Sequence, residues 1–129
     1  MQLTGFNGKI ALVTGAAGGI GAAVVRLLRA SGATVVATDR DAPAVPGSPE
    51  HIDDIHSHAL DVTDAVAVDS LVAGIEADLG PIELAINVAG ILSTASILDL
   101  TADEWRRTFA VNTDGVFHVS QAVARVMAP

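Results

Sequence analysis

The sequence predicts an α/β fold in which a parallel sheet is covered by helices on both faces. Half of the 129 residues are hydrophobic, and small aliphatic side chains dominate among them, which suits strands that are buried on both faces. Short apolar runs alternate along the chain with segments of helical periodicity. This alternation indicates parallel strands joined by right-handed crossovers. We therefore expect a single domain over residues 1–129.

The strands are predicted from apolar runs that end at a glycine or an aspartate. These runs cover residues 9–14, 33–38, 56–60 and 83–88. Between the second and third runs, residues 41–54 contain several prolines, which exclude a regular helix there. The expected order of the strands in the sheet is 3-2-1-4, and the sheet is expected to be incomplete on its C-terminal side.

Helices are expected over residues 20–30, 63–79 and from 101 to about 127. Gly32 is a predicted left-handed cap after the first helix, and Thr101 with Glu104 forms a capping-box pattern that starts the last one. The predicted apolar faces of the first two helices are Ile20, Val24, Leu27 and Leu28, and Val66, Leu71, Val72, Ile75 and Leu79. The last helix carries more apolar surface than this half sheet is expected to cover, at Val116, Phe117, Val119, Val123, Val126 and Met127.

Composition excludes several classes of function. The net charge of −8 disfavours a nucleic-acid surface and binding to anionic membranes. The chain has no cysteine for disulfides or thiolate metal sites. His51, His56 and His58 could suggest a metal, but no carboxylate joins them at a known ligand spacing, so a solvated loop entering a strand is preferred and no metal is expected. Residues 1–8 lack the features of a signal peptide, and we expect a cytoplasmic protein.

The strongest functional signal is the sequence TGAAGGIG at residues 14–21, between a predicted strand and a predicted helix. Gly15 allows a tight turn, Gly19 allows the backbone to approach a pyrophosphate, and Gly21 allows the helix to pack close to the sheet. Free amides at the helix N-terminus, with the positive end of its dipole, favour an anion. The spacing differs from G-x-G-x-x-G, and no Gly-Lys-Ser/Thr follows as in a P-loop. The alternative is a turn with a structural purpose only.

The T-G-x3-G-I-G pattern resembles the short-chain dehydrogenase/reductase family, which implies a Rossmann-type domain that binds NAD or NADP through Gly15, Gly19, Ile20 and Gly21. Asp39 ends the second strand, where a carboxylate can accept hydrogen bonds from ribose hydroxyls and repel a 2′-phosphate. This position favours NAD, although the neighbouring Arg40 could meet a phosphate.

Three more segments match the family in order and spacing. The resemblance implies that Asp61 and Val62 lie against adenine, with the Asp61 carboxylate accepting from the exocyclic amine. It implies that Asn87, Ala89 and Gly90, in the segment NVAG, stabilise the sheet and line a cofactor ribose. It also makes Asn112 the family's helix asparagine, a member of the catalytic set that holds a local helix distortion. Asparagine is a poor residue inside a helix, so Asn112 is expected to make a specific hydrogen bond.

Residues 86–92 and 103–112 are similar to one group in the family, the 2,3-dihydro-2,3-dihydroxybenzoate dehydrogenases of catechol siderophore synthesis. The resemblance implies oxidation of a cyclohexadiene diol to a catechol with NAD. An enzyme acting on another alcohol or ketone, such as a 3-oxoacyl thioester, is an alternative. Ser93, Thr94 and Ser96 either border a substrate pocket or are turn residues.

The family's downstream serine and Tyr-x3-Lys are absent from these 129 residues, which contain no tyrosine and a single lysine, Lys9. The chain therefore matches the N-terminal half of such an enzyme. We expect it to bind a dinucleotide without catalysing hydride transfer. A complete enzyme would take a small-molecule substrate and form a homo-oligomer; a non-catalytic dinucleotide-binding module or pseudo-enzyme is the alternative.

Overall fold

A computed structural model describes residues 3–43 and 55–129. Four parallel strands form one sheet in the order β3-β2-β1-β4. They are β1 (Ile10–Thr14), β2 (Thr34–Asp39), β3 (Ile55–Ala59) and β4 (Ile82–Asn87). The predicted fold class and strand order are confirmed, and each strand lies within one residue of its expected bounds. His51 and most of the predicted irregular segment 41–54 lie outside the described residues.

Helices cover both faces of the sheet. They are α1 (Gly19–Ala30), α2 (Ala65–Asp78), α3 (Ala102–Phe109) and α4 (Gly115–Met127), with a π-helical turn at Ala110–Asp114 joining α3 to α4. The core on one face is formed with α1 and contains Ala11, Val13, Val25, Leu28, Val35 and Ala37. The core on the other face is formed with α2 and α4 and contains Leu12, Val36, Val68, Val72, Val119 and Val123.

The helix ends follow local rules that the sequence displays. Gly32, in the left-handed region at φ 87°, follows the last turn of α1 as predicted. Asp64 caps α2 by accepting a hydrogen bond from the Ala67 amide. The predicted capping box is confirmed: the Thr101 hydroxyl accepts from the Glu104 amide, and the Glu104 carboxylate accepts from the Thr101 amide. The hydrogen bonds from the Thr101 backbone and then its side chain lower the pKa of Glu104.

The last helix runs to Met127 as predicted, and the π-helical turn within it contains Asn112, where the resemblance implies a local helix distortion. Two expectations about the apolar faces of the helices were wrong. Ile20 and Val66 are 73% and 75% exposed, since each lies in the first turn of its helix, and Val25 and Val68 are buried instead.

The prediction that this half sheet leaves apolar residues of α4 uncovered is confirmed at four of the six residues. Val119 and Val123 are buried, because this stripe of α4 packs on β4 and α2. The apolar residues of α4 that stay exposed are Val116, Phe117, Val126 and Met127. No helix in the described part of the chain is long and apolar enough to cross a bilayer.

Candidate functional site

A cleft of about 760 Å³ lies along the carboxyl edge of the sheet. In open parallel sheets this edge is where ligands bind, because the loops that follow the strands diverge there. The cleft is lined by residues that follow each of the four strands. Among them is every predicted cofactor-binding residue except Asn87, namely Gly15, Gly19, Ile20, Gly21, Asp39, Arg40, Asp61, Val62, Ala89 and Gly90.

The glycines of the turn between β1 and α1 have different surroundings. Gly15 has φ 66°, and a Cβ there would lie 2.6 Å from the Ala89 amide nitrogen. A Cβ on Gly21 would collide with the Gly15 carbonyl oxygen. Gly19 differs, because a Cβ there would meet nothing within 4 Å. The fold thus requires glycine at 15 and 21, whereas at 19 the open space of the cleft begins.

The backbone amides of this turn fall into two sets. The Ala16 amide donates to the Thr38 carbonyl at 2.9 Å, and the Gly18 amide donates to the Gly15 carbonyl at 3.3 Å. The amides of Gly19, Ile20 and Gly21 have no hydrogen-bond partner within the described residues. They are the first three of α1, so they carry the positive end of its dipole. The amides of Ala16, Ala17 and Gly18 are therefore not free to hold an anion, whereas those of residues 19–21 are.

Asp39 and Arg40 lie at the end of β2, beside this cradle. The Asp39 carboxylate accepts from the Ala17 amide through Oδ2 at 3.1 Å and from the Arg40 amide through Oδ1 at 2.8 Å. These two bonds orient the carboxylate and tie it to the glycine-rich turn. Each carboxylate oxygen has more than one acceptor position, so both can accept another donor. The side chain of Arg40 is exposed on the cleft.

Asp61 and Val62 lie in the turn between β3 and α2. Oδ1 of Asp61 accepts from the Thr63 hydroxyl at 2.7 Å and from the Thr63 amide at 2.9 Å. These two bonds, in that order, lower the pKa of Asp61; the positive charge of Arg40 adds to the effect and burial opposes it. Asp61 is therefore an anion at neutral pH. The Val62 side chain is buried in the core below the turn.

The loop after β4 is held by side chains. The buried Thr14 hydroxyl accepts from the amides of Val88 and Ala89, both at 3.2 Å. Asn112, in the π-helical turn, accepts from the Ile91 amide and donates to the Ile91 carbonyl, both at 2.8 Å. The specific hydrogen bond expected of a mid-helix asparagine is thus confirmed. Asn112 acts on the cleft through Ile91 and does not line it, so its catalytic role stays a prediction.

Asn87 lies beside the cleft without lining it. Its side-chain amide donates to the Ser120 hydroxyl on α4 at 3.2 Å, which joins β4 to that helix. Ser93 donates to Glu104, and Ser96 donates to Asp99 at 2.6 Å, so both serve the local loop structure. Neither these serines nor Thr94 lines the cleft in the described structure, which favours the interpretation of all three as turn residues.

The cleft also has lining residues that sequence reasoning missed, namely Gly18, Thr38, Leu60, Thr63, Val88, Ile91, Leu92, Arg107 and Val111. Most are neighbours in the chain of predicted residues, so they could have been predicted from the positions at which the strands end. Arg107 and Val111 could not be found in this way, because the packing of the last helix brings them to the cleft.

The described histidines give no metal site. His56 and His58 lie in β3, as the predicted strand over residues 56–60 implies. Among residues 3–43 and 55–129, no group of three or more histidine, aspartate or glutamate side chains is placed to hold a metal ion.

A parallel sheet of order 3-2-1-4 with a glycine-rich turn before its first helix defines a Rossmann-type α/β domain. A family model described as short chain dehydrogenase matches residues 9–129. The chain therefore belongs to the short-chain dehydrogenase family.

Named relatives agree with this family. The chain is 40% identical to the 2,3-dihydro-2,3-dihydroxybenzoate dehydrogenase of Bacillus subtilis, over 98% of the chain and 50% of that protein. It is 36% identical to the 3-oxoacyl-acyl-carrier-protein reductase of Salmonella typhimurium, over 95% of the chain and 50% of that protein. A glucose/ribitol-type short-chain dehydrogenase from Brucella melitensis superposes with a TM-score of 0.86 at 32% identity, over 98% of the chain and 55% of that structure. The chain spans about half the length of the curated relatives it matches.

Proposed function

We propose that this chain binds NAD in the cleft at the carboxyl edge of its sheet, as the cofactor-binding part of an oxidoreductase. The observation that carries the proposal is the row of three unpartnered amides at Gly19, Ile20 and Gly21, which open onto the same cleft as Asp39. Backbone N–H groups at a helix N-terminus are a recurrent pyrophosphate site. The bound dinucleotide would supply the acceptor or donor of a hydride.

The residues along the cleft suit the parts of a dinucleotide. The amides of residues 19–21 would bind the pyrophosphate, and the Asp39 carboxylate would accept from the hydroxyls of the adenosine ribose. Asp61 and Val62 would meet the adenine, whose exocyclic amine is a donor. Ala89 and Gly90 would line the second ribose. The space above Gly19 supports this assignment, because a side chain there would project into the cleft rather than into protein.

The surroundings of Asp39 support NAD rather than NADP. Two backbone amides hold its carboxylate at the end of β2, so it cannot turn away from an added 2′-phosphate without losing both bonds. A phosphate dianion beside a fixed carboxylate is destabilised by repulsion. Arg40 and Arg107 are the basic residues on the described cleft, and Arg40, which directly follows Asp39 in the chain, would offset part of this repulsion.

For the whole protein we propose oxidation of a 2,3-dihydro-2,3-dihydroxybenzoate-type diol to a catechol, as in siderophore biosynthesis. Support comes from the 40% identity to the Bacillus subtilis relative. Reduction of a 3-oxoacyl thioester is the second candidate, supported by the Salmonella typhimurium relative at 36% identity. A small-molecule substrate is common to both.

These 129 residues are proposed to bind the cofactor without completing proton transfer. They contain no tyrosine. Their single lysine, Lys9, precedes β1 at the opposite edge of the sheet and pairs with Glu83 at 3.0 Å. We expect the purified chain to bind NAD but to form no NADH with a dihydrodiol or an alcohol. A steady rise in the absorbance of NADH, in a mixture of the chain with NAD and such a substrate, would contradict this expectation.

Calorimetric titration with NAD and NADP tests the cofactor assignment. We expect NAD to bind at least about tenfold more tightly than NADP, and Asp39→Ala to remove most of that preference. Asp41→Ala is a matched control, because Asp41 is a neighbouring exposed aspartate that is absent from the cleft lining. Binding of neither dinucleotide would overturn the proposal, and tighter binding of NADP would overturn its NAD part.

We also propose that the complete protein is a homo-oligomer that associates through the exposed side of α3 and α4. The rings of Trp105 and Phe109 contact each other there at a tilt of 33°, with centroids 4.5 Å apart, and Phe117 is 57% exposed. Exposed aromatic side chains in such a group favour association, because their burial removes apolar surface from water. Light scattering of the complete protein tests the proposed association, and a monodisperse monomer at high concentration would contradict it.

A further inference from the structure

The peptide group between Val62 and Thr63 is held at both of its polar ends. Its carbonyl oxygen, on Val62, lies 2.9 Å from Nδ1 of His118 on α4. Its N–H, on Thr63, donates to Oδ1 of Asp61 at 2.9 Å. A peptide group is planar, so a contact that fixes the direction of the carbonyl also fixes the direction of the N–H. His118 therefore acts on the bond that orients the Asp61 carboxylate.

The contact between α4 and this turn is close. A Cβ on Gly115, one turn before His118, would lie 2.5 Å from Cγ2 of Val62, so the glycine allows the helix to approach the turn. A carbonyl oxygen only accepts hydrogen bonds, so Nδ1 of His118 must carry the hydrogen. The imidazole is thus the donor, and 56 residues of chain separate it from its acceptor.

The two carboxylate oxygens of Asp61 differ in their hydrogen bonds. Oδ1 accepts two hydrogen bonds, from the amide and the hydroxyl of Thr63. Oδ2 has no protein partner among the described residues, and Asp61 lines the cleft. A fixed carboxylate with one free oxygen is a selective acceptor for an amine and repels a carbonyl oxygen at the same place.

We infer that His118 is a positioning residue for the adenine end of the cleft: by holding the Val62–Thr63 peptide it keeps Asp61 oriented to accept from the exocyclic amine of a bound adenine. The inference rests on the proposed function, since it presumes that an adenine dinucleotide occupies the cleft. The inference assigns a role to a residue outside the cleft, and it predicts that removal of this side chain weakens the preference for adenine over another base.

The test compares NAD with nicotinamide hypoxanthine dinucleotide, in which a carbonyl oxygen replaces the exocyclic amine. A hydrogen bond to a charged group is stronger than one between neutral groups, so we expect the parent protein to prefer NAD by about tenfold or more in calorimetric titration. His118→Leu removes the donor and should reduce this preference to about threefold or less. His118→Asn keeps an N–H near the position of Nδ1 and should restore the parent preference.

Gln121→Leu is the matched control, because Gln121 is an exposed residue of α4 that is absent from the cleft lining. It should leave the preference unchanged. Retention of the full preference in His118→Leu, or its loss in both His118 variants, would overturn the inference while the proposed function stands. Equal binding of the two dinucleotides by the parent would overturn both the inference and the assignment of Asp61 to the adenine, while the proposed binding of NAD would stand. If the parent binds neither dinucleotide, the proposed function and the inference both fall.

A second measurement does not depend on the leucine variant remaining folded. Nitrogen NMR of the parent imidazoles reports which ring nitrogen carries the hydrogen. We expect the hydrogen of the neutral His118 ring to be on Nδ1. A neutral His118 protonated only on Nε2 would overturn the inference, because such a ring cannot donate to the Val62 carbonyl.

Discussion

Two parts of the cleft wall, the glycine-rich turn after β1 and the loop after β4, present backbone to the same space by different means. The first is held mostly by backbone bonds, such as that from the Ala16 amide to the Thr38 carbonyl, and by the absence of side chains at Gly15 and Gly21. The second is held by two side chains from elsewhere, Thr14 and Asn112. One wall therefore depends on backbone hydrogen bonds and on glycine, and the other depends on hydrogen bonds from the side chains of other elements.

The largest expected effect on stability comes from a substitution in the glycine-rich turn after β1. Gly21→Ala should lower the free energy of unfolding by about 3 kcal/mol, because the added Cβ collides with the Gly15 carbonyl and neither backbone can move freely. Urea denaturation followed by circular dichroism measures it. Gly74→Ala in α2 is the control, since a Cβ there meets nothing within 4 Å, and it should stabilise by up to about 1 kcal/mol. Equal stability of Gly21→Ala and the parent would show that the turn is not packed as described.

The second wall should respond to Asn112→Asp. The aspartate can still accept from the Ile91 amide but cannot donate to the Ile91 carbonyl, and it places a charge against that oxygen. We expect a loss of about 2 kcal/mol in the free energy of unfolding and weaker NAD binding. Thr113→Ala, at an exposed neighbouring position, should change little. If both variants unfold at the same urea concentration, Asn112 does not hold the loop.

Gly19→Ala separates ligand binding from stability within the glycine-rich turn. Outside its chain neighbours and its own helix backbone, the added Cβ meets nothing within 4 Å, so stability should change by less than about 0.5 kcal/mol. The methyl group would occupy the space proposed for the pyrophosphate, so NAD affinity should fall by about tenfold or more. Titration and denaturation of the same sample measure both. Unchanged affinity would place the pyrophosphate elsewhere.

The turn after β3 is an intermediate case, in which a local side chain and a distant one act together, and it gives the smallest effect. The pKa of Asp61 is below its ordinary value of 3.8, so its contribution is present above that pH and is lost as the pH falls through the lowered pKa. Thr63→Val removes the first cause of this shift. Denaturation at several pH values should show that the variant loses less stability than the parent on acidification below 3.8. The difference will be small, because Asp61 is exposed. A steeper loss in the variant would contradict this account.

Much of the fold could be predicted because its signals are local. Buried strands appear as short apolar runs, and the capping box at Thr101 marks a helix start without reference to the rest of the chain. The predicted face of α1 failed at Ile20 because periodicity gives the apolar side of a helix but not where the sheet below it ends. The exposed surface of α4 was overestimated at Val119 and Val123 for a related reason, since the partners of a helix are set by packing.

The sequence by itself determined the parallel sheet, the glycine-rich turn and the positions of Asp39 and Asp61 at strand ends, because each depends on residues adjacent in the chain. Only the tertiary structure decided which amides remain unpartnered, that Asn112 holds Ile91, and that His118 reaches the Val62 carbonyl. Such contacts join residues tens of positions apart. They depend on the close approach of helices and strands, which no local pattern encodes.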